Sequence, residues 1–366
     1  MCYDLEKKLA DLICNYSIKL KEDEVIVLRG SACSIPLIKE LYLKSLEIGA
    51  YPDIDMSLDE QSYLYFKNAC DKQLDFIHET AKVSMKQANA IVSIDSQVNS
   101  KQLSGVDPYK LARRSKSTKI LKDIMLDREI KGELRWNLSP YPTFSMAQDA
   151  ELSYDEFREF VYKACKLDCD DPVSEWKSVD KYQENIINNI QDKKNIHIIG
   201  DKTDLVISVE GRKWINCNGT NNLPDGEIFT SPVEDSANGF IHFDYISSYM
   251  GNEVCGVTLT FENGVIINAE AVKGEKFLRE IIKTDKGASI VGELAFGLND
   301  SIKRNTKNIL FDEKIGETMH LALGSSYPEA GGKNRSGIHW DLIKSMKSSE
   351  VFFDDELLYK NGKFVF

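Results

Sequence analysis

Side chains that could bind a divalent cation or transfer a proton are concentrated near the C-terminal end of the chain. They are Glu313, His320, Tyr327, His339 and Asp341, and two of the chain's five histidines are among them. His339 and Asp341 are separated by one residue, so on an extended backbone both side chains project from the same face. This spacing suits a pair of metal ligands, or a histidine that a neighbouring carboxylate orients for structural reasons.

Two further positions, Glu227 and Glu293, and also His320 combine metal-binding chemistry with an unusual setting. Glu227 follows Pro-Asp-Gly, a turn that would present its carboxylate at the start of a strand; the alternative is a solvated hairpin carboxylate. Glu293 interrupts the apolar run ASIVGELAFGLN, where an ionised group needs compensation unless it begins a helix. His320 lies in HLALG and is either a ligand or a satisfied core histidine. Together, imidazoles and carboxylates favour zinc, cobalt or manganese and are typical of two-metal hydrolases.

The N-terminal part of the chain alternates apolar β-type runs with helical patterns. Strands are predicted at 25–28, 53–56 and 90–95, and helices at 35–50 and 61–88. This alternation indicates a parallel α/β sheet. The segment has no GxGxxG and no GxxxxGK[ST], so no motif supports a dinucleotide or P-loop role.

The sequence pattern changes twice after the segment predicted to form this sheet. Ser153 and Glu156 form an S-x-x-E capping box that predicts a helix start. From about residue 195 the pattern becomes β-rich, and Glu-Asn-Gly at 262–264 predicts a hairpin. The sequence therefore predicts an α/β protein with a parallel N-terminal domain and a mixed, strand-rich α+β catalytic domain. The predicted segments are an α/β domain at 1–130, a helical connection at 131–194 and a metal-binding domain at 195–366.

Charge, hydrophobic runs and cysteine spacing argue against several classes of protein. The net charge of −12 argues against a nucleic-acid partner, and the basic stretch Lys110–Lys122 is interpreted as a solvated helix face. No run approaches the length of a membrane span, and the N-terminus lacks a secretory pattern, which predicts a cytoplasmic protein. The eight cysteines show no CxxC spacing, so we expect reduced thiols that are mostly buried.

Several segments carry a family resemblance. NNLPDGEIFTSP, VGELAFGLN, FDEK followed by HLALGSSYP, and NRSGIHWD resemble, in this order, motifs of the thermophilic-aminopeptidase family, peptidase family M29. MAQDAELSYDEF and DPVSEW also look like this family. The similarity is close over roughly residues 130 to 366, whereas the N-terminal part is similar only in layout.

The resemblance implies a dinuclear metallo-exopeptidase that removes N-terminal residues from peptides, and it also suggests a homodimer. The two divalent cations would be zinc, cobalt, manganese or magnesium. The ligands it implies are Glu227, Glu293, Glu313, His320, His339 and Asp341. Glu293 is a candidate bridge, Tyr327 would lie beside the metals, and either Glu293 or Glu313 would act as general base. Glu317 stands where a small residue is expected.

A second enzyme class shares this resemblance. Ring-opening dioxygenases that act on dihydroxypyridines use one iron held by two histidines and an aspartate, which His320, His339 and Asp341 could supply. Glu227 and Glu293 argue against that alternative, because a single iron does not require them.

Overall fold

The computed structural model describes residues 3–366, with side chains from residue 5 onward. The chain divides into two compact units. The first unit extends to Ser174 and includes Gly219–Pro224, and the second comprises Glu175–Asn218 and Asp225–Phe366. The division into segments at 1–130, 131–194 and 195–366 stays a prediction about which pieces fold independently, and limited proteolysis would test it.

The first unit is built on a four-stranded sheet in the order β2-β1-β3-β4, and its neighbouring strands are parallel. The strands are β1 (Val25–Ser31), β2 (Tyr51–Ser57), β3 (Ala90–Asp95) and β4 (Arg135–Pro140). The helices are α1 (Tyr3–Leu12), α2 (Ile35–Ile48), α3 (Gln61–Asn68), α4 (Asp71–Asp75), α5 (Glu79–Gln87), α6 (Pro108–Ile130), α7 (Phe144–Asp149) and α8 (Tyr154–Ala164). The predicted parallel α/β sheet is confirmed.

One helix prediction in the first unit is wrong. The stretch predicted as a single helix over 61–88 is three short helices, because the chain turns extended at Ala69 and again at Phe76. Cys70 then starts α4 through a capping box with Gln73, which favours a new helix over continuation of the old one. By contrast, the predicted box at Ser153 does begin α8.

The basic stretch is solvated as expected. It lies in α6, and no residue of that helix over 108–130 is buried. Lys119 pairs with Asp123 one turn later at 2.7 Å, an arrangement typical of an exposed helix face.

The second unit is strand-rich, as predicted. Its helices are α9 (Pro172–Ile190), which belongs to this unit from Glu175, α10 (Glu275–Ile281) and α11 (Ile309–Asp312). Its strands are β5 (Asn195–Gly200), β6 (Thr203–Ser208), β7 (Ile215–Cys217), β8 (Glu227–Thr230), β9 (Asn238–Phe243), β10 (Ser247–Tyr249), β11 (Asn252–Glu262), β12 (Val265–Lys273), β13 (Val291–Gly297), β14 (Thr318–Gly324), β15 (His339–Ser345), β16 (Glu350–Phe353), β17 (Glu356–Lys360) and β18 (Lys363–Phe364).

These strands form two antiparallel sheets. Nine strands build the larger sheet, and the smaller has five in the order β15-β14-β13-β8-β7. The predicted hairpin joins β11 to β12 through Asn263 and Gly264, with φ values of 49° and 80°. Positive φ at both positions is the requirement that Asn-Gly meets in a two-residue hairpin turn.

One continuous core fills the second unit. It receives Ile198 and Leu205 from the larger sheet, Leu294 and Leu321 from the smaller sheet, and Ile186 from α9. Because strand side chains alternate between faces, the smaller sheet buries one apolar face here and keeps its other face available for polar groups.

Two further expectations concern cysteines and membranes. Seven cysteines lie in the described part of the chain and are free, whereas Cys2 lies outside it. Only Cys14 and Cys165 among the seven are buried, so the expectation of mostly buried thiols is wrong. In residues 3–366, every helix is too short or too polar to cross a bilayer.

Candidate metal centre

Strand register brings most of the predicted site residues to one face of the five-stranded sheet. Ala295 pairs with His320 across β13 and β14, and Gly297 pairs with Glu227 across β13 and β8. Gly324 pairs with His339 in the same ladder, two residues from Asp341 on β15. The residues that share this polar face are Glu227, Glu293, His320, His339 and Asp341. The residues that alternate with them along these strands lie on the opposite face and belong to the core.

Glu227 is held at the first position of β8. The preceding Gly226 has φ of +115°, and a side chain there would approach Cβ of Asn299 to 2.9 Å, so this turn needs glycine. Nε2 of Gln183 on α9 donates to the carbonyl of Glu227 at 2.9 Å and fixes the strand start. Glu227 lies at the predicted strand start, but it is 4% exposed and is not a solvated hairpin carboxylate.

Glu293 lies within β13 and not at a helix start. Its side chain is buried, and its two carboxylate oxygens face different histidines. Oε1 is 3.6 Å from Nε2 of His320, and Oε2 is 3.2 Å from Nε2 of His339. Glu293 therefore lies between the two imidazoles.

Glu313 reaches the same face from a different element. It directly follows the short helix α11, whose start is capped by the Asn308 side chain through Leu310 N–H. Buried Asp312 accepts hydrogen bonds from Thr306 and Asn305, which secures the segment just before Glu313.

The predicted ligands form two groups with metal-ligand spacing. One ligand atom from each of Glu227, Glu313 and His320 lies within 4.8 Å of the others, and the same holds for Glu293, His339 and Asp341. We call these the first triad and the second triad. All six sequence-predicted ligands thus lie in two adjacent clusters, since His320 Nε2 is also 3.9 Å from Oδ1 of Asp341.

His339 and Tyr327 are oriented by their neighbours. Nδ1 of His339 lies 2.9 Å from the carbonyl oxygen of Ser325, which suits an Nδ1–H donor and leaves Nε2 to face the site. The Tyr327 ring packs edge-on against His339 with 5.2 Å between centroids and also contacts Phe229. Tyr327 is therefore beside the second triad, as expected.

Burial and opposite charges set the pKa values of the histidines. Burial lowers the pKa of His320, but the carboxylates of Glu293 and Glu227 outweigh burial and raise it to about 9. Burial likewise opposes the carboxylates of Glu293 and Asp341 around His339, whose pKa rises to about 10. Both imidazoles are therefore protonated at pH 7 when no cation is bound.

The acidic groups respond in different directions. Burial raises the pKa of Glu293, yet the two imidazolium rings beside it bring that pKa down to about 2. Burial dominates at Asp341 and raises its pKa to about 6. Local desolvation of the Tyr327 hydroxyl and the neighbouring carboxylates hold its pKa well above its usual range although the residue is 36% exposed, so its phenol stays protonated.

Unmet hydrogen-bonding capacity indicates that a cation fits here. Within the described residues, both ring nitrogens of His320, Oε2 of Glu227 and Oδ1 of Asp341 are buried without a hydrogen-bond partner. Leaving a buried polar atom unsatisfied costs about 1–3 kcal/mol. Imidazole nitrogen and carboxylate oxygen are the donors that divalent transition metals accept, so the residues suit a metal ion.

Sequence reasoning assigned no role to Lys314. Its side chain is completely buried, and it pairs with Glu313 and lies 3.5 Å from Oε1 of Glu227. The signal was present in FDEK, where a lysine follows the candidate ligand inside an apolar stretch. Burial lowers the pKa of Lys314, but the surrounding carboxylates outweigh it and hold that pKa well above the usual range.

Carboxylate and imidazole side chains on one sheet face form a candidate metal centre. Comparison with protein families specifies the kind of protein, because residues 4–364 match the thermophilic metalloprotease family M29. The chain belongs to this family. The predicted resemblance and the predicted metallopeptidase class are therefore confirmed.

Characterised relatives span most of the chain. Aminopeptidase 2 of Geobacillus stearothermophilus is 26% identical over 355 residues, covering 88% of this chain and 83% of that protein. Aminopeptidase T of Thermus thermophilus is 24% identical over 395 residues, covering 97% and 95%.

Two solved structures show the fold. Wild-type AmpT from Thermus thermophilus superimposes with a TM-score of 0.85 at 23% identity, covering 99% of both chains. A 2,5-dihydroxypyridine dioxygenase from Pseudomonas putida KT2440 superimposes with a TM-score of 0.62 at 14% identity, covering 98% and 96%. At these identities the likeness concerns architecture alone, and it confirms the predicted mixed α/β fold.

Proposed function

We propose that this chain is a metal-dependent aminopeptidase that releases N-terminal amino acids from peptides and uses two divalent cations. The observation that carries this proposal is the pair of adjacent triads on one buried face, with Glu293 between their histidines. The relatives named aminopeptidases support hydrolysis at the peptide N-terminus.

The first triad would hold one cation and the second triad the other, with Glu293 as candidate bridge. Zinc, cobalt, manganese and magnesium are the proposed metals. When bound, such cations act as Lewis acids that polarise a carbonyl and lower the pKa of a water molecule.

The chain's own side chains would supply the proton transfers. Glu313 is the better placed of the two general-base candidates, because its side chain is 17% exposed whereas Glu293 is 6% exposed and lies between two imidazoles. Tyr327 keeps its proton and can donate a hydrogen bond to the oxyanion that develops on the substrate carbonyl.

Selection for a free N-terminus would follow from how the site binds the substrate amine. A free substrate amine would bind one of the proposed cations or a nearby carboxylate, and an acyl group on that nitrogen would prevent this contact.

The test is hydrolysis of a panel of aminoacyl reporters and their N-blocked forms, after chelation and after metal add-back. We expect cleavage of unblocked reporters only, loss of cleavage on chelation and recovery with added metal. Cleavage that persists in protein shown to be metal-free would refute the proposal. About two cations per chain supports the aminopeptidase, whereas one iron with turnover of a dihydroxypyridine would support the dioxygenase alternative.

Assembly and location are also proposed. The family resemblance suggests a homodimer, which light scattering across a range of protein concentrations would test. We further propose a cytoplasmic protein without nucleic-acid partners, in keeping with its net charge of −12.

A further inference from the structure

Lys314 lies in a compact cluster of carboxylates beside the candidate metal centre. Its Nζ is 3.5 Å from Oε1 of Glu227 and 3.9 Å from Oδ1 of Asp225, and it pairs directly with Oε1 of Glu313. A fully buried ammonium ion persists only where opposite charges compensate it. The three carboxylates therefore compensate the charge of Lys314, while Lys314 compensates only part of theirs.

Lys314 shares two carboxylates with the first triad. It attracts Oε1 of Glu227, while Oε2 of the same carboxylate faces Nε2 of His320 at 3.8 Å. The ammonium group thus orients Glu227 and also competes for it. A further group with ligand spacing, Cys217, Asp225 and Glu227, has two of its three members next to this ammonium group, so Lys314 already supplies a cation there.

The second triad has a different electrostatic setting. Among the ion pairs of residues 3–366, Glu293 and Asp341 pair with His320 and His339 and with no lysine or arginine. Among the described residues, only the first triad therefore has a lysine ammonium group in contact with its carboxylates.

We propose that Lys314 is a positioning residue that acts as a resident counter-ion and makes the two proposed metal positions unequal. The first triad then holds its cation weakly and exchanges it, whereas the second triad retains its cation. The physical reason is that a fixed ammonium a few ångströms away repels a divalent ion where the local dielectric is low. This inference rests on the proposed two-metal function.

The test begins with the wild-type chain and with variants that assign the two positions. Metal-free protein is titrated with Co²⁺, and binding is followed by calorimetry and by the visible absorption of bound cobalt. We expect two classes of site that differ in affinity at least about tenfold. Glu313→Gln should remove the weaker class, and Asp341→Asn should remove the tighter class.

The second step removes the charge of Lys314. Lys314→Met should tighten the weaker class at least about tenfold and leave the tighter class unchanged, because repulsion is removed. In the metal-free state this variant should have a lower Tm than wild type, since its carboxylates lose their counter-ion. Lys344→Met is the matched control: Lys344 is also buried in this unit, 3.2 Å from the Asp201 carbonyl oxygen and 3.9 Å from Oδ2 of Asp244, and no ion pair of the described residues joins it to either triad.

The outcomes separate this inference from the proposed function. Three results would each overturn the role of Lys314. They are loss of the weaker class of site in Asp341→Asn, equal affinities of the two classes in wild type, and a weaker class in Lys314→Met whose affinity is unchanged or reduced. If Lys314→Met does not fold, the assignment by Glu313→Gln and Asp341→Asn still decides. Binding of only one cation per wild-type chain would instead contradict the two-metal function.

Discussion

Single residues in the candidate metal centre are held in place by compensating charges. Glu293 stays ionised because imidazolium rings face both its oxygens, and Glu227 is buried beside Lys314. His320 has both ring nitrogens without a hydrogen-bond partner among the described residues. A core histidine would ordinarily have such partners, so this arrangement favours a ligand.

Substitution of His320 tests that interpretation. We expect His320→Ala to lower kcat/KM on an unblocked aminoacyl reporter at least about 10²-fold. Mutation of a residue that only supports a metal ligand typically costs about 10–100-fold, and this change removes a proposed ligand itself. Metal content should fall in parallel, while far-ultraviolet circular dichroism stays that of a folded protein.

The matched control is His197→Ala. His197 is a partly exposed histidine of the same unit that contacts Asp204 at 2.8 Å, so this variant should keep wild-type activity and metal content. Full activity in His320→Ala protein would contradict the proposed ligand role.

The raised pKa values of the histidines predict a pH dependence of metal binding. In metal-free protein the pKa of His320 is about 9 and that of His339 about 10, so each must lose a proton before binding a cation. Affinity should therefore increase as pH rises from 7 towards 9, with proton release at pH 7. Calorimetry in buffers of different ionisation enthalpy measures that release, and a buffer-independent enthalpy would contradict it.

The same pKa shifts determine how the stability of the metal-free protein depends on pH. Both pKa values lie above the ordinary value of 6.5, so in metal-free protein the contacts of the two imidazolium rings with Glu293, which stays ionised, contribute their full stability below about pH 6.5. That contribution is lost as pH rises through 9 to 10.

At the scale of elements, the turn between α11 and β14 contains a strained position. Glu317 has φ of +63°, a left-handed conformation that disfavours residues with a Cβ atom. The resemblance led us to expect a small residue here, and the backbone supplies the physical reason. The Glu317 side chain packs over Gly362. A Cβ atom added at Gly362 would lie 2.6 Å from the Cβ of Glu317.

Replacement of Glu317 should therefore stabilise the fold. We expect Glu317→Gly to raise the free energy of unfolding by about 0.5–1 kcal/mol, because relief of the left-handed conformation exceeds the entropy cost of glycine. The ion pair lost with Lys347, 3.8 Å long and exposed, contributes little. Urea denaturation measures the change.

Glu317→Ala separates the backbone effect from the loss of the carboxylate. Alanine removes the charge but keeps Cβ in the left-handed region, so this control should show no gain. Equal stabilisation in the alanine and glycine variants would show that the carboxylate, and not the backbone, is responsible.

At the scale of the whole molecule, all six proposed ligands belong to the second unit. Their carboxylates remain partly uncompensated when no cation is bound, so metal binding should contribute to the stability of this unit. A ligand that binds only the folded state at 100 times its Kd adds about 2.7 kcal/mol.

Chelation should therefore lower Tm, and added Zn²⁺ or Mn²⁺ should restore it in a concentration-dependent way. Differential scanning calorimetry follows both effects. His320→Ala serves as control, since its Tm should respond less to added metal. An unchanged Tm in protein confirmed to be metal-free would exclude this coupling.

The sequence by itself determined the local elements and the chemical identity of the site. Period-two and helical patterns located three of the four parallel strands of the first unit and the β-rich part of the second, because these signals depend on neighbours in the chain. The fourth strand, β4, was missed and falls in the segment predicted as a helical connection. The strand start at Glu227 after Gly226 and the Asn263–Gly264 hairpin were equally readable, since each depends on backbone conformations that particular residues favour. Motif order indicated the family and its ligand set.

Only the tertiary structure decided how these groups are arranged. Whether Glu293 begins a helix or lies within a strand depends on the partners of β13, and local sequence does not encode them. Grouping of the ligands into two triads follows from a register across four strands and from the position of α11. Lys314 could not be assigned because the carboxylates around it, such as Asp225 and Glu227, are far away in sequence, and burial of a charge is defined only after distant segments have packed.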